Sequence, residues 1–84
     1  MSIEDVVEHF SGYEAMGKPI PNNRVDAGFK FLEELGLDSN VIHILINIVV
    51  RHLERDEPEQ AMSYSLGDMD LTASYRLMSY LLTA

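Results

Sequence analysis

The sequence predicts an all-α protein, a compact bundle of four to five short helices around a central apolar helix at about residues 39–55. Three observations point there. Apolar residues recur at i, i+3, i+4 and i+7 along most of the chain. Capping residues and helix breakers punctuate it in alternation. Only one segment, within 42–50, alternates over more than a few residues, so a sheet would lack a second strand to pair its backbone.

The first helix is announced by Ser2 with Asp5 three residues on, a capping box with Asp in place of Glu, followed by Ile3, Val6, Val7 and Phe10. Gly12 weakens this helix, and Gly17 with Pro19 ends it. "GKPIPNN" then reads as a loop, in which two prolines fix φ and two asparagines suit turns or caps. Asn22 or Asn23 is expected to cap the second helix, whose face is Val25, Phe29, Leu32 and Leu35. Gly36 stands where a left-handed C-cap belongs, and Leu37 follows to pack back on that helix.

The third segment, "VIHILINIVVRHL" (41–53), supports two readings. As a strand it presents Ile42, Ile44, Ile46, Ile48 and Val50 on one face, all β-branched. As a helix capped by Asp38 or Ser39 it gathers Asn40, His43, Asn47, Arg51 and Glu54 into an arc of roughly 80°. The polar arc runs unbroken from the apolar part into the charged part, which a strand does not explain. The helix is the reading adopted. Roughly 280° of its circumference is then apolar, so it is expected to be wrapped by the others. Arg51 and Arg55 fall in its last turns, where cations suit the helix dipole.

For the fourth helix Asp56 is the expected cap, with Pro58 in the first turn and Glu59 behind it; Ala61, Met62 and Leu66 form its apolar face. "GD" at 67–68 breaks it. Asp70 caps the last helix, from Leu71 to about Thr83. Its seam is Leu71, Tyr75, Met78 and Leu82, widened by Leu77, Tyr80 and Leu81, with Thr72, Arg76, Ser79 and Thr83 as a narrow polar edge. Two helices this apolar in one chain lead to the expectation that part of the last helix is covered by a partner protein or a second copy. No repeat or long linker divides residues 1–84, which are expected to form a single helical domain.

Composition narrows the function classes. Fourteen acids against six bases give a net charge of −8, with 8 against 3 over residues 1–40 and 6 against 3 over 41–84. A chain acidic in both halves is repelled by phosphate backbones and anionic lipid, so direct nucleic-acid binding is not expected. The twelve uncharged residues between Asp38 and Arg51 fall short of the roughly 18–20 a bilayer span needs, and no membrane role is expected. Residues 1–10 carry three acids and no base, unlike a secretory signal, and the chain has no cysteine; both fit a cytoplasmic protein.

Nothing in the sequence reads as catalytic. His9, His43 and His52 lack the spacing of a local metal site. Glu33/Glu34 and Glu54/Asp56/Glu57/Glu59 are acidic groups without the other residues of a calcium loop. The serines have no nucleophile-elbow context, and the glycines stand singly, with no phosphate-cradling loop. No catalytic, cofactor-binding or metal-ligating residue is therefore assigned, and no cofactor is expected.

Within "IPNNRVDAGFKFLEELGLDSNVIHILINIVV" (20–50) a short helix leads through a leucine and a small loop into a helix carrying Val41, Ile42, Leu45 and Ile46. This stretch resembles part of the helical domain of the DnaD/DnaB-like helicase loaders of bacterial replication initiation. The resemblance implies a helical protein-interaction module more than a DNA binder. Members of that family continue into an extended helix with a tryptophan, tied to DNA and primosome contacts. This chain has no tryptophan and continues with "DMDLTASYRLMSYLLTA".

The function expected from the sequence is that of a small acidic, non-catalytic protein–protein interaction module, an adaptor or a regulator or inhibitor. Its candidate interface is Leu77, Tyr80 and Leu81, with Arg51 and Arg55 second. Two alternatives stand beside it: an acidic decoy occupying a partner's basic nucleic-acid groove, and a helicase-loader-type accessory module.

Overall fold

In the computed structural model, which describes residues 1–83, the chain forms five α-helices and, among those residues, no strand. They are α1 (Ile3–Ser11), α2 (Asn22–Glu34), α3 (Ser39–Glu54), α4 (Pro58–Leu66) and α5 (Leu71–Leu82).

The helix boundaries follow local chemistry. At α1 the Asp5 N–H donates to Ser2 Oγ (3.2 Å) and the Ser2 N–H donates to the Asp5 carboxylate (3.1 Å), a reciprocal capping box. Asp38 caps α3 by accepting the Asn40 N–H at 2.9 Å, and Asp70 caps α5 by accepting the Ala73 N–H at 2.8 Å. Both α2 and α3 end in Schellman motifs. After α2, Gly36 takes φ +88°, its N–H donates to Glu33 O, and the Leu37 N–H reaches back to Leu32 O. After α3 the left-handed position is filled by Asp56 at φ +59°, with Asp56 N–H to Leu53 O (3.1 Å) and Glu57 N–H to His52 O (2.8 Å).

Two expected caps are corrected. Asn22 and Asn23 are the first residues inside α2, not its cap; Pro21 occupies that position in extended backbone with no side-chain cap bond. Asp56 does not cap α4, because closing α3 places it in the left-handed region. Glu57 precedes Pro58 instead, and its carboxylate bonds His52 Nδ1 at 2.9 Å rather than the first turn.

The third segment is a helix. It buries Ile42, Leu45, Ile46, Val49 and Leu53, while Asn40, His43, Asn47 and Arg51 are exposed. Glu54 is half-buried because its carboxylate accepts the Ile20 N–H at 2.8 Å. With Gly17 N–H on Leu53 O (2.9 Å), that bond ties the loop after α1 to the end of α3 and delivers Met16 and Ile20 into the core.

α3 packs against α2 and α4, and α5 packs against α2, α1 and α4. The molecule measures 31 × 27 × 18 Å, its short dimension about two helices thick. A Cα radius of gyration of 11.3 Å matches the ~12 Å expected for this length. Gly28 sets the α2–α5 distance: a Cβ there would lie 3.0 Å from Leu81 Cδ2, 3.3 Å from Leu77 Cδ1 and 3.5 Å from Ile46 Cδ1.

That close approach overturns the expectation of an uncovered last helix. Leu77, Met78, Leu81 and Leu82 are buried within the chain, Leu77 and Leu81 at 0% exposure. They are core residues, so Leu77 and Leu81 are withdrawn as interface candidates. Apolar surface is left over on α3, whose neighbours cover only part of its apolar arc, with Ile44 63% and Val41 37% exposed. Ile3 of α1 (47%) and Leu35 after α2 (43%) are exposed singly elsewhere.

Candidate interaction surfaces

Two surfaces carry the remaining sequence candidates, and they are built from different helices. The first is the outward edge of α3. Val41, Ile44 and half-buried Ile48 succeed one another at i, i+3 and i+7, and Arg51 and Arg55 extend the line at the same spacing. One turn beyond Ile48, the His52 ring stacks on Tyr64 of α4, with centroids 5.5 Å apart and planes at 15°. The stack continues the apolar row across the helix boundary onto a tyrosine that is 51% exposed. Arg51 and Arg55 are both exposed. The ion pairs among the described residues are Lys18–Glu14 at 3.7 Å and His52–Glu57 at 2.9 Å, neither of which uses these guanidinium groups. On the other side of α3, His43 tilts over Phe29 of α2, with centroids 4.8 Å apart.

The second surface is a groove between α2 and α5. The helices approach closely at Gly28, and beside that contact lies a cavity of about 480 Å³. Asn23, Arg24 and Ala27 line one wall; Arg76, Ser79, Tyr80 and Thr83 line the other. Tyr80, the remaining α5 candidate, stands here at 39% exposure. Its ring lies 5.2 Å from Phe31, and the Arg76 guanidinium sits 5.1 Å over the same Phe31 ring. Phe31 is 4% exposed, so a core aromatic supports both groups from below.

The polar contacts elsewhere join helices to one another. Ser65 and Ser74, both fully buried, satisfy one another across α4 and α5 at 2.7 Å. His9 Nε2 lies 2.9 Å from Tyr13 Oη and 3.2 Å from Tyr75 Oη, where an edge-packed aromatic group joins α1 to α5. No grouping of three or more histidine or acidic side chains suited to a metal ion occurs among the described residues. Among the described residues, no helix is long and apolar enough to cross a membrane.

The sequence therefore placed Arg51, Arg55 and Tyr80 on accessible surface, but not together. It missed Val41 and Ile44, although the apolar arc of α3, too wide for the helices available to cover it, was the signal that could have found them. Arg24 and Arg76 lie 52 positions apart, and no local pattern joins them.

No known family model matches this chain, and neither a curated protein nor a solved structure matches it.

Proposed function

We propose that this chain is a non-catalytic protein-interaction module that receives an apolar segment with acidic flanking residues along the edge of α3. The observation that carries the reading is the exposure of Ile44, at 63%, inside a row that runs from Val41 to two arginines without an ion pair among the described residues. A scattered apolar residue on a surface needs no explanation, whereas a row aligned on one helix edge and prolonged by a stacked His52–Tyr64 pair is a contiguous patch. Arginine and tyrosine around an apolar centre are also the residue types that carry binding energy at interfaces.

Charge selects the occupant. The chain carries −8 overall, and exposed Arg51 and Arg55 at the end of this row, beside the exposed acids Asp56 and Glu59, are the groups that would attract an acidic flank on the partner. A second copy brings the same excess of acids and is the poorer fit.

The test is site-specific photocrosslinking in the native host, with the reactive group at position 44 and, as a control, at exposed Thr72 on α5. A crosslink confined to position 44, made to an acidic segment and lost in Arg51→Glu/Arg55→Glu, is the expected result. Equal products from both positions, a crosslink to a second copy, or indifference to charge reversal would overturn the assignment.

A further inference from the structure

We infer that the α2–α5 groove is a binding site for an oxyanion, a carboxylate or a phosphate, carried on a small apolar body. The argument begins with charge. In a chain of fourteen acids and six bases, the seven residues lining this cavity include two guanidinium groups and no carboxylate. Neither Arg24 nor Arg76 belongs to an ion pair among the described residues. Two arginines without an ion-pair partner among the described residues thus line one cavity, and the arginine fork matches both carboxylate and phosphate.

The site is partly organised in advance. The Arg76 guanidinium sits over Phe31, which is buried in the core, so less side-chain freedom is lost when it binds. Arg24 is half-buried in the first turn of α2. That helix begins without a side-chain cap, so the positive end of its dipole adds to the same field.

Hydrogen-bonding capacity sharpens the ligand class. Ser79 Oγ already donates to Tyr75 O at 3.2 Å, and Thr83 Oγ1 donates to Ser79 O. The donors left to a ligand are the guanidinium groups, the Asn23 amide and the Tyr80 hydroxyl. Ala27 and the Tyr80 ring supply an apolar wall, and about 480 Å³ suits a small molecule or one side chain of a larger one.

The experiment titrates the isotope-labelled protein at constant ionic strength with phenyl phosphate, benzoate and inorganic phosphate, following backbone and arginine side-chain resonances. Expected is saturable binding of phenyl phosphate or benzoate, with shifts centred on Arg24, Arg76 and Tyr80. The tighter of the two identifies the native anion, and weaker binding of inorganic phosphate shows the contribution of the apolar wall. Arg24→Gln and Arg76→Gln should each weaken binding about tenfold, the loss of one charge-assisted contact. Arg76→Lys retains charge but not the fork and should fall between. Arg51→Gln, on the other surface, should bind as the parent does. Unsaturable shifts, equal losses in Arg51→Gln, or undiminished binding by the folded Arg24→Gln and Arg76→Gln proteins would overturn the site. None of these outcomes bears on the α3 edge, so the two proposals fail separately.

Discussion

Ser65 and Ser74 show how a polar pair persists in an apolar core. Each hydroxyl is fully buried and their 2.7 Å contact is the bond that satisfies them, so removing one strands the other. Ser65→Ala or Ser74→Ala alone should cost about 1–3 kcal/mol, while the double alanine variant should lie closer to the parent than the two losses added together. Denaturant unfolding of all four proteins closes this cycle. Asp56 poses the opposite problem, a side chain tolerating backbone that favours glycine. At φ +59° the aspartate is acceptable, whereas a β-branched residue is not. Asp56→Val should lower stability by about 1–2 kcal/mol and Asp56→Gly should not, as thermal melts would show. Neither residue's role follows from its neighbours in sequence. Ser65 and Ser74 read as ordinary helix serines, and Asp56 reads as a cap for α4 until the closure of α3 is seen to claim it.

Among the elements, the contact between α2 and α5 decides most about what is left at the surface. Gly28 sits mid-helix, where glycine costs up to about 1 kcal/mol relative to alanine, and it is offset by the approach it permits. A Cβ at this position meets three core side chains within 3.5 Å. Gly28→Val should therefore destabilise the protein by about 1–3 kcal/mol through overpacking, despite restricting the unfolded chain. The same substitution should widen the Arg24–Arg76 groove and weaken whatever anion binds there, readable in the titration already described. The helical period was legible in the sequence, and so were the caps at Ser2 and Asp70, with Asp38 one of two candidates for α3. The buried face of α2 is Gly28, Phe31 and Leu32, and expected Leu35 is exposed. What remained hidden was the pairing of helices, because a 3.6-residue pattern specifies a face and not the face it meets.

At the scale of the whole molecule, the acids outnumber the bases by eight and few are paired. One of the two ion pairs among the described residues joins exposed side chains, and the other depends on a protonated histidine. Self-repulsion of this kind is screened by salt, since the Debye length falls from about 30 Å at 0.01 M to about 8 Å at 0.15 M. The melting temperature should accordingly rise over that range with a neutral-effect salt such as sodium chloride. A flat or falling dependence would show that the excess acids are compensated in the folded state.

By itself the sequence determined the class of structure and most helix limits. Capping, glycine placement and apolar spacing act within a few residues and need no knowledge of the rest of the fold. It also determined the acidic character, fourteen acids against six bases. Tertiary structure alone decided which apolar residues are core and which are left over. Leu77, Leu81 and Ile44 look alike in the sequence, yet the first two are sealed by the close approach of α2 at Gly28, while Ile44 faces away from both neighbours of α3. The physical reason is that burial depends on what packs opposite a residue. That quantity is set by contacts between distant segments, and the local pattern does not carry it.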